Sequence, residues 1–220
     1  NKTLEFLKNE TYFINKKCFN KKTKNHIAAL LVVDVWGQAV DTSKIREICN
    51  HKNIKIIKDA AESVGSYSQS KKRDKPTYSS DIACFSFNGN KIITTGSGGM
   101  LSTNNKKYYE KSIYYASQAK DNKIKFIHND VGYNYGMSSI QASIGISQLK
   151  QIKLFIKKKK NIFNFYKNFF KDHKDIEFFQ HKSGHSNYWL NLIKFKKKVN
   201  LDQIIRYLKK SKIEARNVWF

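Results

Sequence analysis

Residues 54–67 read I-K-I-I-K-D-A-A-E-S-V-G-S-Y, and residues 84–100 read C-F-S-F-N-G-N-K-I-I-T-T-G-S-G-G-M. Ile54, Ile56 and Ile57 form a short β-branched apolar run, the pattern of a buried strand. Asp59 follows at once, then the small residues Ala60 and Ala61. Open α/β sheets place ligand-binding residues at the C-terminal ends of their strands. A second strand is expected over Ile82–Phe87, ending in the polar turn Asn88-Gly89-Asn90-Lys91. Lys91 is set among residues of low charge, between an apolar run and Gly96-Ser97-Gly98-Gly99.

An aspartate after one strand and a lysine after another meet the needs of pyridoxal phosphate. The lysine amine condenses with the aldehyde, and the carboxylate keeps the pyridine nitrogen protonated, which makes the ring an electron sink. Spacing alone leaves open an ordinary Asp cap and a surface lysine. The full wording is more specific. D-A-A-E-S-V-G (59–65) and F-S-F-N-G-N-K-I-I-T-T-G-S-G-G-M (85–100) resemble the DegT/DnrJ/EryC1/StrS sugar aminotransferases, a branch of the fold-type I pyridoxal phosphate enzymes. The N-G-N-K-I-I-T-T-G wording is most similar to the subgroup that aminates nucleotide-linked 4-keto sugars.

The resemblance implies an α/β fold with a mostly parallel sheet. It divides the chain into part of a large cofactor-binding domain (1–150), a linking helix (151–172) and an incomplete small C-terminal domain (173–220). It also implies roles for single residues. Lys91 would bond the cofactor, Asp59 would hold the ring nitrogen, Glu62 would lie near the ring, and Ser86 would contact the phosphate. Gly132-Tyr133-Asn134-Tyr135 matches G-Y-N-Y of the family, so Asn134 would reach the phosphate of a neighbouring subunit in a homodimer. His128 and Arg216 would border the substrate, with Trp219 beside Arg216. Family members that dehydrate sugars carry His at the lysine position, so Lys91 implies transamination.

Departures from the family wording stand beside these matches. Asp34 occupies a position where the family has His, and Lys58 one where it often has an acid. Ser97 replaces Glu, and Gly136 replaces Arg. A ring-facing role for position 34 is therefore left open. The glycine loop is expected to shape the approach of the next strand rather than to cradle phosphate.

The remaining elements follow from pattern. A short helix is expected over Leu4–Phe13 and a polar loop over Asn15–Asn25. The run Ile27–Val35 reads as a central strand buried on both faces. Asp41-Thr42-Ser43 precedes a helix over Lys44–Asn50, which makes a right-handed β-α-β unit with the strand before Asp59. Tyr67–Ser80, with the sole proline, Pro76, reads as a loop. Met100–Thr103 suits a strand and Asn105–Ser117 a helix. From Ser138 to Phe170 apolar residues recur at helical spacing. Ser186–Ile193 alternates like a strand, Leu201–Leu208 suits a short helix, and Lys212–Arg216 leads toward another edge.

Charge is a rival signal. Forty-two Lys and Arg against 17 Asp and Glu give a formal charge of +25. Only Arg46, Arg73, Arg206 and Arg216 are arginine, leaving 38 lysines. Readers of bases and phosphates favour the bidentate Arg fork, whereas these lysines are scattered among Asn and Ile through every region. No nucleic-acid partner is expected, and no membrane span, since no apolar stretch reaches eighteen residues. Lys157–Lys160 reads as a solvated helix face. Cys18, Cys49 and Cys84 lack metal-pair spacing and are odd in number, which suits a reducing cytoplasm. No metal site is expected.

The first residue is Asn1, and the last, Phe220, follows Val218-Trp219; the chain reads as an internal fragment, inactive by itself. The expected function of the intact protein is transfer of an amino group from an amino acid, L-glutamate, to a nucleotide-linked keto sugar for surface polysaccharide or glycan precursors. Other readings stay open: an inactive paralogue with a structural role, a polyanion binder driven by charge, or another pyridoxal phosphate reaction on the same scaffold.

Overall fold

The structure is a computed structural model that describes residues 2–68, 80–122, 124–179 and 184–218. Most of the Tyr67–Ser80 insert, including Pro76, lies outside them, as does Trp219.

The centre is a four-stranded sheet of β3 (Ala29–Val33), β4 (Lys55–Asp59), β5 (Ile82–Ser86) and β6 (Gly99–Ser102), in that order. β3, β4 and β5 are parallel, and β6 returns antiparallel. This mixed sheet agrees with the expected α/β class, three parallel strands being joined by one antiparallel strand. Helix α2 (Ser43–His51) makes the crossover from β3 to β4. Thr42 stands at its N-cap without a side-chain cap bond, while Asp41 Oδ1 accepts from Ser43 N at 2.9 Å.

The core lies on one face of β3 and β4. Leu7 of α1 (Lys2–Asn9), Cys18, Val32, Ile45, Cys49, Ile54 and Ile56 form one buried cluster. Each fully buried aliphatic side chain there stabilises the fold by about 1.5–3 kcal/mol. The other face is open: Leu31 is 63% exposed and Val33 45%. The expectation of a central strand buried on both faces is thus corrected. β3 is the edge of this sheet, and its outward side chains have no cover among the described residues.

The Asn15–Asn25 loop is also corrected. The chain there forms a hairpin of β1 (Thr11–Ile14) and β2 (Lys17–Asn20). Its two-residue turn places both Asn15 and Lys16 at positive φ, 49° and 59°, the twist that suits a tight hairpin.

Beyond the sheet come α3 (Lys106–Ala116), capped by the Asn105 side chain, and a small hairpin of β7 (Lys120–Asn122) and β8 (Ile127–His128). Helix α4 (Ser139–Lys150) follows, then α5 (Ile152–Phe169). The long helical region breaks at Gln151, the C-cap of α4. Ser138 opens α4 with a capping box: its hydroxyl accepts from Gln141 N, and Gln141 Oε1 accepts from Ser138 N.

Contacts divide the chain into two units, Asn1–Ile162 with His181–Leu190, and Phe163–Gln180 with Asn191–Phe220. In the second, β9 (Ile176–Phe178) pairs antiparallel with β10 (Ile193–Phe195) beside the aromatic cluster Phe163, Phe170 and Phe178. Helix α6 (Leu201–Lys210) follows. The expected strand over Ser186–Ile193 is not formed. Only Ile193 joins β10, and the stretch through Leu190 belongs to the first unit. No strand forms over 212–216 either.

Candidate active site

Asp59 ends β4 and Ser86 ends β5. The parallel register sets Asp59 opposite Cys84, so the two strand ends open on the same side of the sheet. Asp59 is half-buried, and its Oδ1 accepts from Ala61 N at 3.0 Å. No other described residue donates to this carboxylate. Burial, then the Asp59 charge across the ladder, push the Cys84 thiol up. The Ser86 hydroxyl accepts from Asn88 N at 3.3 Å, which leaves its O–H to donate.

After Ser86 the chain turns through Asn88–Lys91, closed by Lys91 N donating to Asn88 O at 3.0 Å. Thr95 N donates back to Phe87 O and ties down the segment beyond. At Gly99 an added Cβ would lie 2.4 Å from Phe85 O. The glycine therefore sets the close approach of β6 to β5.

Lys91 is half-buried. Its Nζ lies 3.8 Å from Glu62 Oε1 and 4.2 Å from the centre of the Trp189 ring. The other Glu62 oxygen, Oε2, accepts from Trp36 N at 2.7 Å. The sequence reading did not single out Trp189. It sat in an expected strand of the C-terminal domain, and only tertiary structure returns it to the lysine. Trp189 Nε1 donates to Asn90 O at 2.7 Å, next to Lys91 itself.

Asn187, wholly buried, holds this arrangement together. Its Nδ2 donates to Glu62 O at 2.8 Å and Val64 O at 3.0 Å, and its Oδ1 accepts from Trp189 N at 3.0 Å. The neighbouring hydroxyls of Ser66 and Ser186 both donate to Gly37 O. Trp36 and Gly37 take the left-handed conformation, φ 57° and 81°, and a Cβ on Gly37 would sit 2.1 Å from Asn187 Oδ1. Only glycine admits the Asn187 side chain there. Strained backbone of this kind beside a polar cluster is typical of functional sites.

Asp34 lies behind this layer, fully buried. Its Oδ2 accepts from Ser63 Oγ at 2.6 Å, its Oδ1 accepts from Val40 N at 2.8 Å, and Lys58 Nζ stands 3.6 Å away. Burial pushes its carboxyl up, and Lys58 is the largest influence against that.

Asp59, Ser86, Glu62 and Lys91 are thus gathered at the strand ends, with Glu62 and Lys91 in direct reach. Asn134 and His128, in the same unit, are not part of this cluster. Asn134 is exposed, its backbone bridged to Ser117. His128 is exposed in β8, with Nδ1 2.7 Å from Gln118 O. Arg216 is exposed in the second unit. Among the described residues no group of three or more His, Cys, Asp or Glu is placed to hold a metal ion.

This donor set fits pyridoxal phosphate. It offers a half-buried carboxylate with an oxygen to spare for a ring N–H, a strand-end hydroxyl for phosphate, and an amine held at one place.

Comparisons with known proteins point the same way. The sequence model of the DegT/DnrJ/EryC1/StrS aminotransferase family matches residues 7–220. GDP-perosamine synthase of Escherichia coli O157:H7 is 32% identical over 216 residues, 96% of this chain and 57% of its own length. The structure of Helicobacter pylori PseC, an aminotransferase involved in the biosynthesis of pseudoaminic acid, superposes with a TM-score of 0.73 at 26% identity. That match covers 82% of this chain and 49% of the other. E. coli GDP-4-keto-6-deoxy-D-mannose-3-dehydratase with bound hydrated PLP shares the fold, with a TM-score of 0.75 at 23% identity over 87% of this chain and 53% of that one. The chain therefore spans about half the length of the relatives it matches.

Proposed function

The chain belongs to the DegT/DnrJ/EryC1/StrS aminotransferase family, and on that premise we propose that the whole protein is a pyridoxal phosphate-dependent sugar aminotransferase. It moves an amino group from an amino acid, L-glutamate, to the keto carbon of a nucleotide-linked sugar, for polysaccharide or glycan precursors. The observation that carries this reading is the Lys91 amine, held 3.8 Å from Glu62 and 4.2 Å over Trp189 at the strand ends that also present Asp59 and Ser86.

When bound, pyridoxal phosphate supplies the electron sink that makes the α-hydrogen of the donor acidic. The chain supplies position and protons. The Asp59 carboxylate would hold the protonated ring nitrogen, and the Ser86 O–H would donate to the phosphate. Lys91 Nζ takes the proton from the donor α-carbon in one half-cycle. In the other it delivers a proton to the former keto carbon of the sugar.

The proposal includes a homodimer in which Asn134 serves the neighbouring site, and His128 and Arg216 on the substrate side. The exposed side chains of Val131, Tyr133 and Tyr135 around Asn134 support such a contact. It also includes a cytoplasmic location, supported by the free thiols of Cys18, Cys49 and Cys84. No described helix is long and apolar enough to cross a membrane.

The test uses the full-length protein with pyridoxal phosphate. A visible absorption band is expected, lost in Lys91→Ala. Amination of GDP- or UDP-linked 4-keto sugars by L-glutamate should fall by on the order of 10²–10⁴-fold or more in that variant. No band in the wild type would favour an inactive paralogue and sink the enzyme reading.

A further inference from the structure

The Lys91 amine has two states in the proposed chemistry, bonded to the cofactor and free. A free lysine side chain is long, and fixing it costs rotamer freedom. Two side chains flank the Lys91 amine. Trp189, 5% exposed, turns its ring face to Nζ at 4.2 Å, and the Glu62 carboxylate lies at 3.8 Å. An aromatic face and a carboxylate both attract an ammonium.

The two walls of this berth are themselves fixed. Trp189 Nε1 grips Asn90 O, one residue before the lysine. Trp36 N fixes the far oxygen of Glu62. Asn187 ties the Glu62 backbone to Trp189 N through its two ends. Lys159 Nζ adds a contact to Trp189 O at 3.4 Å. A buried side chain joined to both loops gives the site one shape before any ligand arrives.

We propose that Trp189 and Glu62 form a resting berth for the unbonded Lys91 ammonium, and that Trp189 is a positioning residue for the proton transfer. When the Nζ lone pair takes the donor α-proton, the electron pair of the broken Cα–H bond would pass to the bound cofactor's electron sink; the amine becomes an ammonium, and the Trp189 face and Glu62 steady the new charge. Trp189 acts through the lysine, so its loss lowers the turnover rate rather than donor binding.

The role in turnover rests on the aminotransferase reading; the berth itself needs no cofactor. Its first test is therefore made on the cofactor-free full-length protein labelled with 5-fluorotryptophan, the Trp189 resonance being identified by its absence in Trp189→Phe. That resonance should move in Lys91→Met, which leaves the indole and its bond to Asn90 intact. An unmoved resonance overturns the berth, whatever the cofactor result.

The second test follows the half-reaction with L-glutamate. Trp189→Leu should slow it by about 5- to 30-fold, the scale of a desolvated cation–π contact, with KM within about twofold. Trp189→Phe, which keeps a ring face, should recover most of the rate. Equal damage in Phe and Leu overturns the proposal in favour of the Nε1 bond, and an unslowed Leu variant overturns it outright. A wild type without an absorption band fails the aminotransferase reading alone, and the fluorine shift still decides the berth.

Discussion

Asp34 and Lys58 illustrate what single residues can and cannot reveal. Each departs from the family wording, and alone neither departure explains the other. In the fold they are partners, 3.6 Å apart, with exposures of 1% and 2%. They meet because β3 and β4 are parallel with Val32 opposite Lys58, and because Asp34 N donates to Asp59 O. A change of sign at one position is answered by a change of sign at the other. Lys58 also donates to Val40 O at 3.3 Å, and Ser63 completes the carboxylate's bonds.

The pair gives a sharp prediction. Removing one partner of a buried pair leaves an uncompensated charge and costs about 3–5 kcal/mol. Lys58→Met should be destabilised on that scale near neutral pH in urea unfolding. Adding Asp34→Asn should restore part of the loss, because burial already pushes that carboxyl up. A group raised in the fold favours folding below its unfolded value and loses that contribution as pH rises through the folded one. The Lys58→Met deficit should therefore shrink as pH falls toward 3.8, the ordinary value of the aspartate. A double variant no more stable than Lys58→Met would remove the pairing argument.

At the level of elements, most of the sheet was legible. The Ile56-Ile57 run became β4, the run before Ser86 became β5, and Asn105 capped α3 as its side chain allows. Two features were not. The β1–β2 turn uses Asn15-Lys16 rather than Asn-Gly, so the usual hairpin signal is absent although the backbone geometry is the same. The Ser186–Ile193 segment alternates like a strand, yet its first polar residues are spent on distant partners. Ser186 and Asn187 bond Gly37, Glu62 and Val64, contacts of more than 100 residues' separation that no local pattern encodes.

That segment enters through His185. Its ring stacks on Tyr67 at 4.8 Å and 18°, and the two backbones exchange hydrogen bonds at 3.0 and 2.8 Å. Burial first, then the Lys160 charge, hold the His185 imidazole below its ordinary 6.5. The fold prefers it neutral, so its contribution is fully present above 6.5 and is lost as pH falls toward and through the lower folded value. The wild-type melting temperature should therefore drop between about pH 7 and pH 5, and His185→Phe should lessen that drop while keeping a ring on Tyr67. An unchanged pH profile in the variant would clear His185 of the effect.

Across the whole molecule, charge is the loudest signal in the composition and the least informative about the site. The lysines that matter, Lys58 and Lys91, are distinguished by burial and partners rather than by number. Sequence wording placed Asp59, Ser86, Glu62 and Lys91 at one end of the sheet because strand ends and turns are local. It could not place Trp189, which arrives from the far end of the first unit.

Surface exposure provides the last test. Val131 and Tyr135 are each 74% exposed and Tyr133 52%, with the two tyrosine rings stacked at 5.0 Å around Asn134. Exposed apolar side chains of this kind suit a contact surface. If a second copy covers it, Asn134 of one subunit serves the phosphate of the other, and occupancy by pyridoxal phosphate must depend on association. Val131→Asp with Tyr135→Asp alters exposed side chains only, so the subunit's own fold should change by less than about 1 kcal/mol. In sedimentation equilibrium the full-length wild type should be a dimer and the double variant largely monomer. The variant should then bind pyridoxal phosphate more weakly, and regain occupancy at high protein concentration. A monomeric wild type, or a monomeric variant with full occupancy, would mean that each site is complete within its own subunit.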